Sequence, residues 1–211
     1  MYREVIAHGR PLEEYRVGVR IHGSGKMAVR KGYSYVLEAP VGKEFAAGFT
    51  PVFTPEEMLF LGVFEGKYLN DCIREFPAEW YLHALAADKL RPGGADIRVN
   101  YFGVGSRQPL AIWRENGWAP RRMSLTEAAG LKGRERLADP LFNPDERGWF
   151  QWYCRYWCGR RIPELDAIQI ARWRSFARHA GAVRHGCTKG DLSCRRRERQ
   201  ALLQWAYDPF L

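Results

Sequence analysis

A chain of 211 residues, 46% hydrophobic and 14% aromatic, is long enough to bury a core and too apolar to be disordered throughout. No apolar run approaches the ~18 residues of a membrane span, and the start, Met1 to His8, lacks the apolar stretch of a secretory signal, so the chain is read as soluble and cytoplasmic. The net charge of +9 is uneven: residues 145–211 hold 13 basic against seven acidic side chains, and residues 1–144 hold 20 against 17, which points to a polyanionic partner such as DNA or RNA.

The five cysteines form an odd set with no secretory context, which predicts no disulfide framework. From Tyr15 the sequence alternates, with Val17, Val19 and Ile21 on one face. Gly23-Ser24-Gly25 and a second alternating run to Leu37 then predict a hairpin of two or three strands. His22 to Lys26 lacks the spacing of a phosphate loop and reads as a turn. Residues 1–53 are therefore assigned to an N-terminal β-rich element and 54–211 to a helical domain, together one compact α+β unit that is mainly α.

Thr54, Pro55 and Glu57 carry the signature of a capped helix start, and Gly62 ends that helix. Further helices are expected from Pro77 to about Lys89, within Gln108–Gly117, around Thr126–Leu131, from Pro163 to Ala180, and from a cap at Ser193 to Pro209. Asp96–Phe102 alternates and reads as extended, and Gly181–Gly190 as a loop. The organising stretch is Asn143–Arg161. Asn143 can cap a helix, Pro144 suits its first position, Asp145 and Glu146 favour its positive end, and Gly159 suits a left-handed C-terminal residue. At helical spacing its six aromatic rings fill an arc of roughly 160°. So wide an arc is first a core-builder. Arg147, Gln151 and Arg155 form a separate polar row.

Phe64-Glu65-Gly66-Lys67-Tyr68, Arg147 to Tyr156, Gly159-Arg160-Arg161 and Gly190 to Asp208 are distinctive phrases. They resemble those of a family of hypothetical proteins from microbial genomes with no known activity. The resemblance spans roughly residues 54–208, implies that this segment is one unit, and assigns no catalytic residue.

Three arginines directly after a helix start oppose the helix dipole, so Arg195, Arg196, Arg197 and Arg199 are expected to hold an anion, with Lys189 beside them. Together with Arg147, Gln151, Arg155, Arg160, Arg161, Arg174 and Arg178 they would form a nucleic-acid-binding face, with Trp149 or Trp152 stacking a base. The function expected first is nucleic-acid binding, within a DNA- or RNA-processing or modification activity. The alternative is an enzyme for a small phosphorylated or anionic metabolite, with Glu65, Lys67, Tyr68 and Asp71 as its polar cluster facing the C-terminal arginines. No cofactor is expected. His179, His185, Cys187 and Cys194 are considered as zinc ligands, although their spacing matches none of the common paired-ligand patterns.

Overall fold

The structure, a computed structural model, describes residues 1–23 and 30–211. In chain order it has helix α1 (Tyr2–His8), strands β1 (Arg20–His22) and β2 (Ser34–Val36), then helices α2 (Pro55–Leu61), α3 (Ala78–Ala86), α4 (Leu110–Glu115), α5 (Leu125–Gly130), α6 (Trp149–Trp157), α7 (Pro163–Ser175), α8 (Ala177–Gly186) and α9 (Arg196–Gln204). The fold is α+β and mainly α. The two strands pair antiparallel with Ile21 opposite Tyr35, both buried, so the hairpin turns its apolar face to the helices. Ser24 to Lys26, where the turn is expected, lie outside the described residues.

The start of α2 follows its sequence: the Thr54 side chain accepts from Glu57 N, and Glu57 Oε2 accepts from Thr54 N at 2.8 Å. The start of α6 does not. The helix begins at Trp149, six residues after the expected cap. Asn143 instead closes a turn on Asp145 N at 3.0 Å, because the Asp145 carboxylate is drawn inward by two arginines. At the other end Gly159 has φ +109, as expected of a C-terminal glycine, and lies flat against Ala39. A Cβ at this position would collide with the Ala39 carbonyl, and the left-handed conformation alone disfavours L side chains by about 1–2 kcal/mol. Gly159→Ala is therefore expected to destabilise the protein by at least that much, measured as a lower urea midpoint with an unchanged slope.

Every residue of α6 from Trp149 to Tyr156 is buried. Phe49 meets Trp152, Tyr153 and Tyr156 edge-on, and Trp149 stacks on Trp205. One continuous core runs from Val5 and Ile21 through this helix to Leu203 and Ala206, so the hairpin and the helical body share it.

Three further expectations are corrected. Residues 97–99 form a short 3-10 turn, with Asp96 accepting from Arg98 N, rather than an extended segment. The expected loop from Gly181 is helical as far as Gly186, because Ala180 and Val183 bury against Leu202. Ser193 does not cap α9. It bonds Asp191, and the helix starts after Arg195, whose φ is +52.

Cys187 and Cys194 are joined by a disulfide that ties the end of α8 to the start of α9, contrary to the expectation from the cysteine count. A loop this short constrains the unfolded chain by about 2.5 kcal/mol in the chain-entropy account. A strong reductant is expected to lower the melting temperature of the wild type and to leave a Cys187→Ser/Cys194→Ser double variant unchanged.

Candidate functional site

The turn after α2 is an unusual piece of backbone. Phe64, Glu65 and Gly66 all have positive φ, and so does Leu69. For non-glycine residues that conformation carries roughly 1–3 kcal/mol of strain each and persists only where neighbours over-determine it. Here the neighbours are buried amides. Asn100 accepts from Glu65 N at 2.8 Å, Gln200 donates to Gly62 O at 3.1 Å, and Gln204 accepts from Phe64 N at 3.4 Å. Gln204 also donates to Ser106 O at 3.0 Å, so α9 stitches the strained turn to the segment ahead of α4.

Between these pieces lies a cavity of about 650 Å³. The 64–69 turn supplies one wall, and residues 106–118, which include α4, supply another. Trp149 and Phe150 of α6, Arg172 to Arg178 across α7 and α8, and Ala201, Gln204 and Trp205 complete it. Its inner surface is aromatic. Trp205 is sandwiched between Trp149 (4.7 Å) and Phe176 (4.6 Å), and Phe64, Tyr68 and Phe150 form a second cluster. Trp113 of α4 presses its ring onto Gly148, where φ is +81 and no side chain would fit.

Arg172 sets this cavity apart. It is 5% exposed, yet among the described residues no carboxylate lies within 4 Å of it. Its Nη1 donates to Gln169 Oε1 at 2.8 Å, its guanidinium lies over the Trp113 and Trp205 rings at 5.3 and 5.6 Å, and its Nε has no partner. Burial, followed by the charge of nearby Arg134, pushes this guanidinium down to about 9, so it is still cationic at neutral pH. Nε1 of Trp149 spends its hydrogen on Gln169 O, and Gln169 Nε2 is also without a partner. A buried charge is normally paired.

The mouth of the cavity is basic as well. Lys67, Arg107, Arg134 and Arg178 are exposed around it, and Arg114 is half-buried with an unpartnered Nε. Two of the expected catalytic acids orient arginines here. Glu65 pairs with Arg107 at 2.7 Å, and Asp71 takes a two-pronged pair from Arg147. Lys67 is at the rim, and Tyr68 is half-buried, with desolvation pushing its phenol up against the opposing charge of Arg147. The four residues expected as a polar cluster thus come together around one cavity: Lys67 and Tyr68 line it, and Glu65 and Asp71 hold two of its arginines.

About half of the expected arginine face is turned inward or held by the protein's own groups, while Arg174, Arg178, Lys189 and Arg195 to Arg197 are exposed. Arg155 and Arg160 are buried: Arg155 pairs with Glu75 (2.6 Å) and Asp145 (2.8 Å), and Arg160 pairs with Asp145 (2.7 Å). Gln151 is buried and accepts from Arg147 N. Arg199 is buried and serves the carbonyls of Asp191, Cys194, Pro209 and Leu211, which makes it a structural clamp. Arg161 clasps the carbonyls of Lys43, Glu44 and Tyr156, and Arg174 bonds Ala47 O. Arg195 pairs with Glu198 at 3.2 Å and Arg196 bonds Phe102 O, while Arg197 and Lys189 are exposed and do not line the cavity. Of the whole set, Arg147 and Arg178 reach the cavity.

Trp152 is sealed in the core with its Nε1 on Asp166 at 2.8 Å, so it cannot stack a base. Trp149 reaches the cavity, but Tyr153 and Trp205 stack against it. Of the four residues considered for zinc, Cys187 and Cys194 bond to each other and His179 stacks on Phe176 at 4.2 Å. Among the described residues no three His, Cys, Asp or Glu side chains are placed to hold a metal ion.

Sequence reasoning missed Arg172, Arg134, Arg107 and Arg114. A signal for Arg172 was present: at 100° per residue it falls within ~20° of Leu165 and ~40° of Phe176, two core residues of the same helical face. No family model matches this chain, and no curated protein or solved structure matches it.

Proposed function

We propose that the cavity is a binding site for a small organic anion, a phosphorylated or carboxylated molecule, with Arg172 as its innermost contact. What carries this is the buried guanidinium that has an unused donor and no carboxylate of its own. Isolated charge in such a place is tolerated when something of opposite sign shares it part of the time. The cavity volume, the aromatic walls and the few convergent polar groups are those of a small-molecule site. A polymer such as nucleic acid ranks behind this, since Arg147, Gln151 and Arg155 are turned inward or paired and, of the Arg195–Arg199 cluster, Arg195 pairs with Glu198, Arg196 bonds Phe102 O and Arg199 is buried.

Thermal unfolding at constant ionic strength tests the proposal. Millimolar orthophosphate or an organic phosphate is expected to raise the melting temperature where equal chloride does not. Short DNA and RNA strands are expected to bind weakly. Tight strand binding that fell by about 10³-fold or more between 50 and 200 mM salt would instead mark a surface neutralising many phosphates. No response to any anion would remove the proposal.

A further inference from the structure

The charge on the cavity walls says more about the guest than its sign. Seven basic side chains line it, and two of them, Arg107 and Arg147, are matched by Glu65 and Asp71. For the other five, Lys67, Arg114, Arg134, Arg172 and Arg178, no carboxylate lies within 4 Å among the described residues. One acid lines the wall, Glu146, and its Oε1 accepts from Arg30 N at 2.6 Å. Arg134 is near enough to Arg172 for its charge to work against the buried guanidinium. Five cations around one cavity without a paired acid oppose folding, and a single monoanion would leave most of that repulsion in place.

We infer that the guest is polyanionic and compact: a diphosphate carried on a flat ring, in the chemical class of a nucleoside diphosphate. This rests on the cavity being an anion site and adds the valence and body of the guest. Planar guanidinium groups take phosphate oxygens in pairs, and the several arginines that line this one cavity, Arg172 and Arg134 among them, would supply donors for more than one phosphoryl group. A bare diphosphate would fill only a part of the 650 Å³. The remaining wall is apolar, formed by Phe64, Phe150, Leu110 and Trp118, and matches a ring rather than a sugar chain or a second charged arm.

Calorimetric titration of the full chain at fixed ionic strength, with a chelator present, separates the possibilities. The probes are orthophosphate, pyrophosphate, a nucleoside, its monophosphate and its diphosphate. Pyrophosphate is expected to bind at least tenfold more tightly than orthophosphate, and the nucleoside diphosphate at least tenfold more tightly than pyrophosphate. Arg134→Ala, at an exposed position that leaves the fold intact, is expected to erase the preference for two phosphates while orthophosphate still binds. Arg172→Lys keeps a charge but not the planar fork, and is expected to weaken all the phosphates. If orthophosphate and pyrophosphate bind equally, the inference fails and the anion site stands. If the nucleoside diphosphate gains nothing over pyrophosphate, the ring is wrong and the inference is overturned in that half. If none of the phosphates binds, the site itself is not what we propose.

Discussion

Arg172→Met is expected to weaken anion binding by about 100-fold and, in the ligand-free protein, to raise the melting temperature. The two effects have one cause. A charge-assisted hydrogen bond to a buried anion contributes roughly 1.5–3 kcal/mol, and stranding the anion's partner groups adds to that, so affinity should fall by about 100-fold. In the empty cavity the same guanidinium is a liability: it is 5% exposed, and among the described residues its Nε has no acceptor and no carboxylate offsets it. Methionine keeps the aliphatic bulk beside Trp113 and Trp205 and removes the charge. Replacing buried ionic groups by well-packed apolar ones is often neutral or stabilising by about 1–4 kcal/mol. Paired melting curves, with and without phosphate, read both signs at once. A variant that melts lower and still binds would make Arg172 a structural residue.

The opposite sign is expected for Asp145→Asn. Asp145 accepts from both Arg155 and Arg160 at 2.7–2.8 Å, and all three side chains are 0–1% exposed. Removing the carboxylate's charge leaves two buried guanidinium groups under-compensated, which costs about 3–5 kcal/mol. Burial tends to raise this carboxyl, but the charges and hydrogen bonds of Arg160 and Arg155 outweigh it and hold it below the usual carboxylate range. Its contribution to stability is therefore present above the unfolded value of ~3.9 and is lost as pH falls through the lower, folded value. Urea melts at pH 7 should show the full deficit of the variant. Melts at successively lower pH, below ~4, should show the two proteins converging. A deficit independent of pH would mean that packing rather than charge decides it.

How far the residues disclosed this protein depends on how local their reasons are. The Thr54–Glu57 cap and the glycine at 159 were legible because each acts within a few residues. The aromatic arc of α6 was legible as core because so many rings in one arc leave little choice. The start of α6 was not: Asn143, Pro144, Asp145 and Glu146 look like a first turn, and only the folded positions of Arg155 and Arg160 reveal why Asp145 goes elsewhere. The arginines misled for the same reason. Composition registers their charge but not their partners, and Glu75, which takes Arg155, sits eighty residues away. The 64–71 turn stood out by its chemistry, and it does border the cavity. Arg172 stood at the edge of an apolar face, and only the packing of α4 and α9 around it shows that it has no acid.

The indole rings around Arg172 have an optical consequence. Four of the chain's eight tryptophans, Trp113, Trp118, Trp149 and Trp205, border the cavity, and a fixed positive charge hovers over two of them. Indole emission shifts colour with the local electric field, so a guest that neutralises that charge changes the light the molecule gives off. The protein thus carries an intrinsic dye for its own occupancy, and a fluorimeter with unlabelled material is enough to watch the cavity fill.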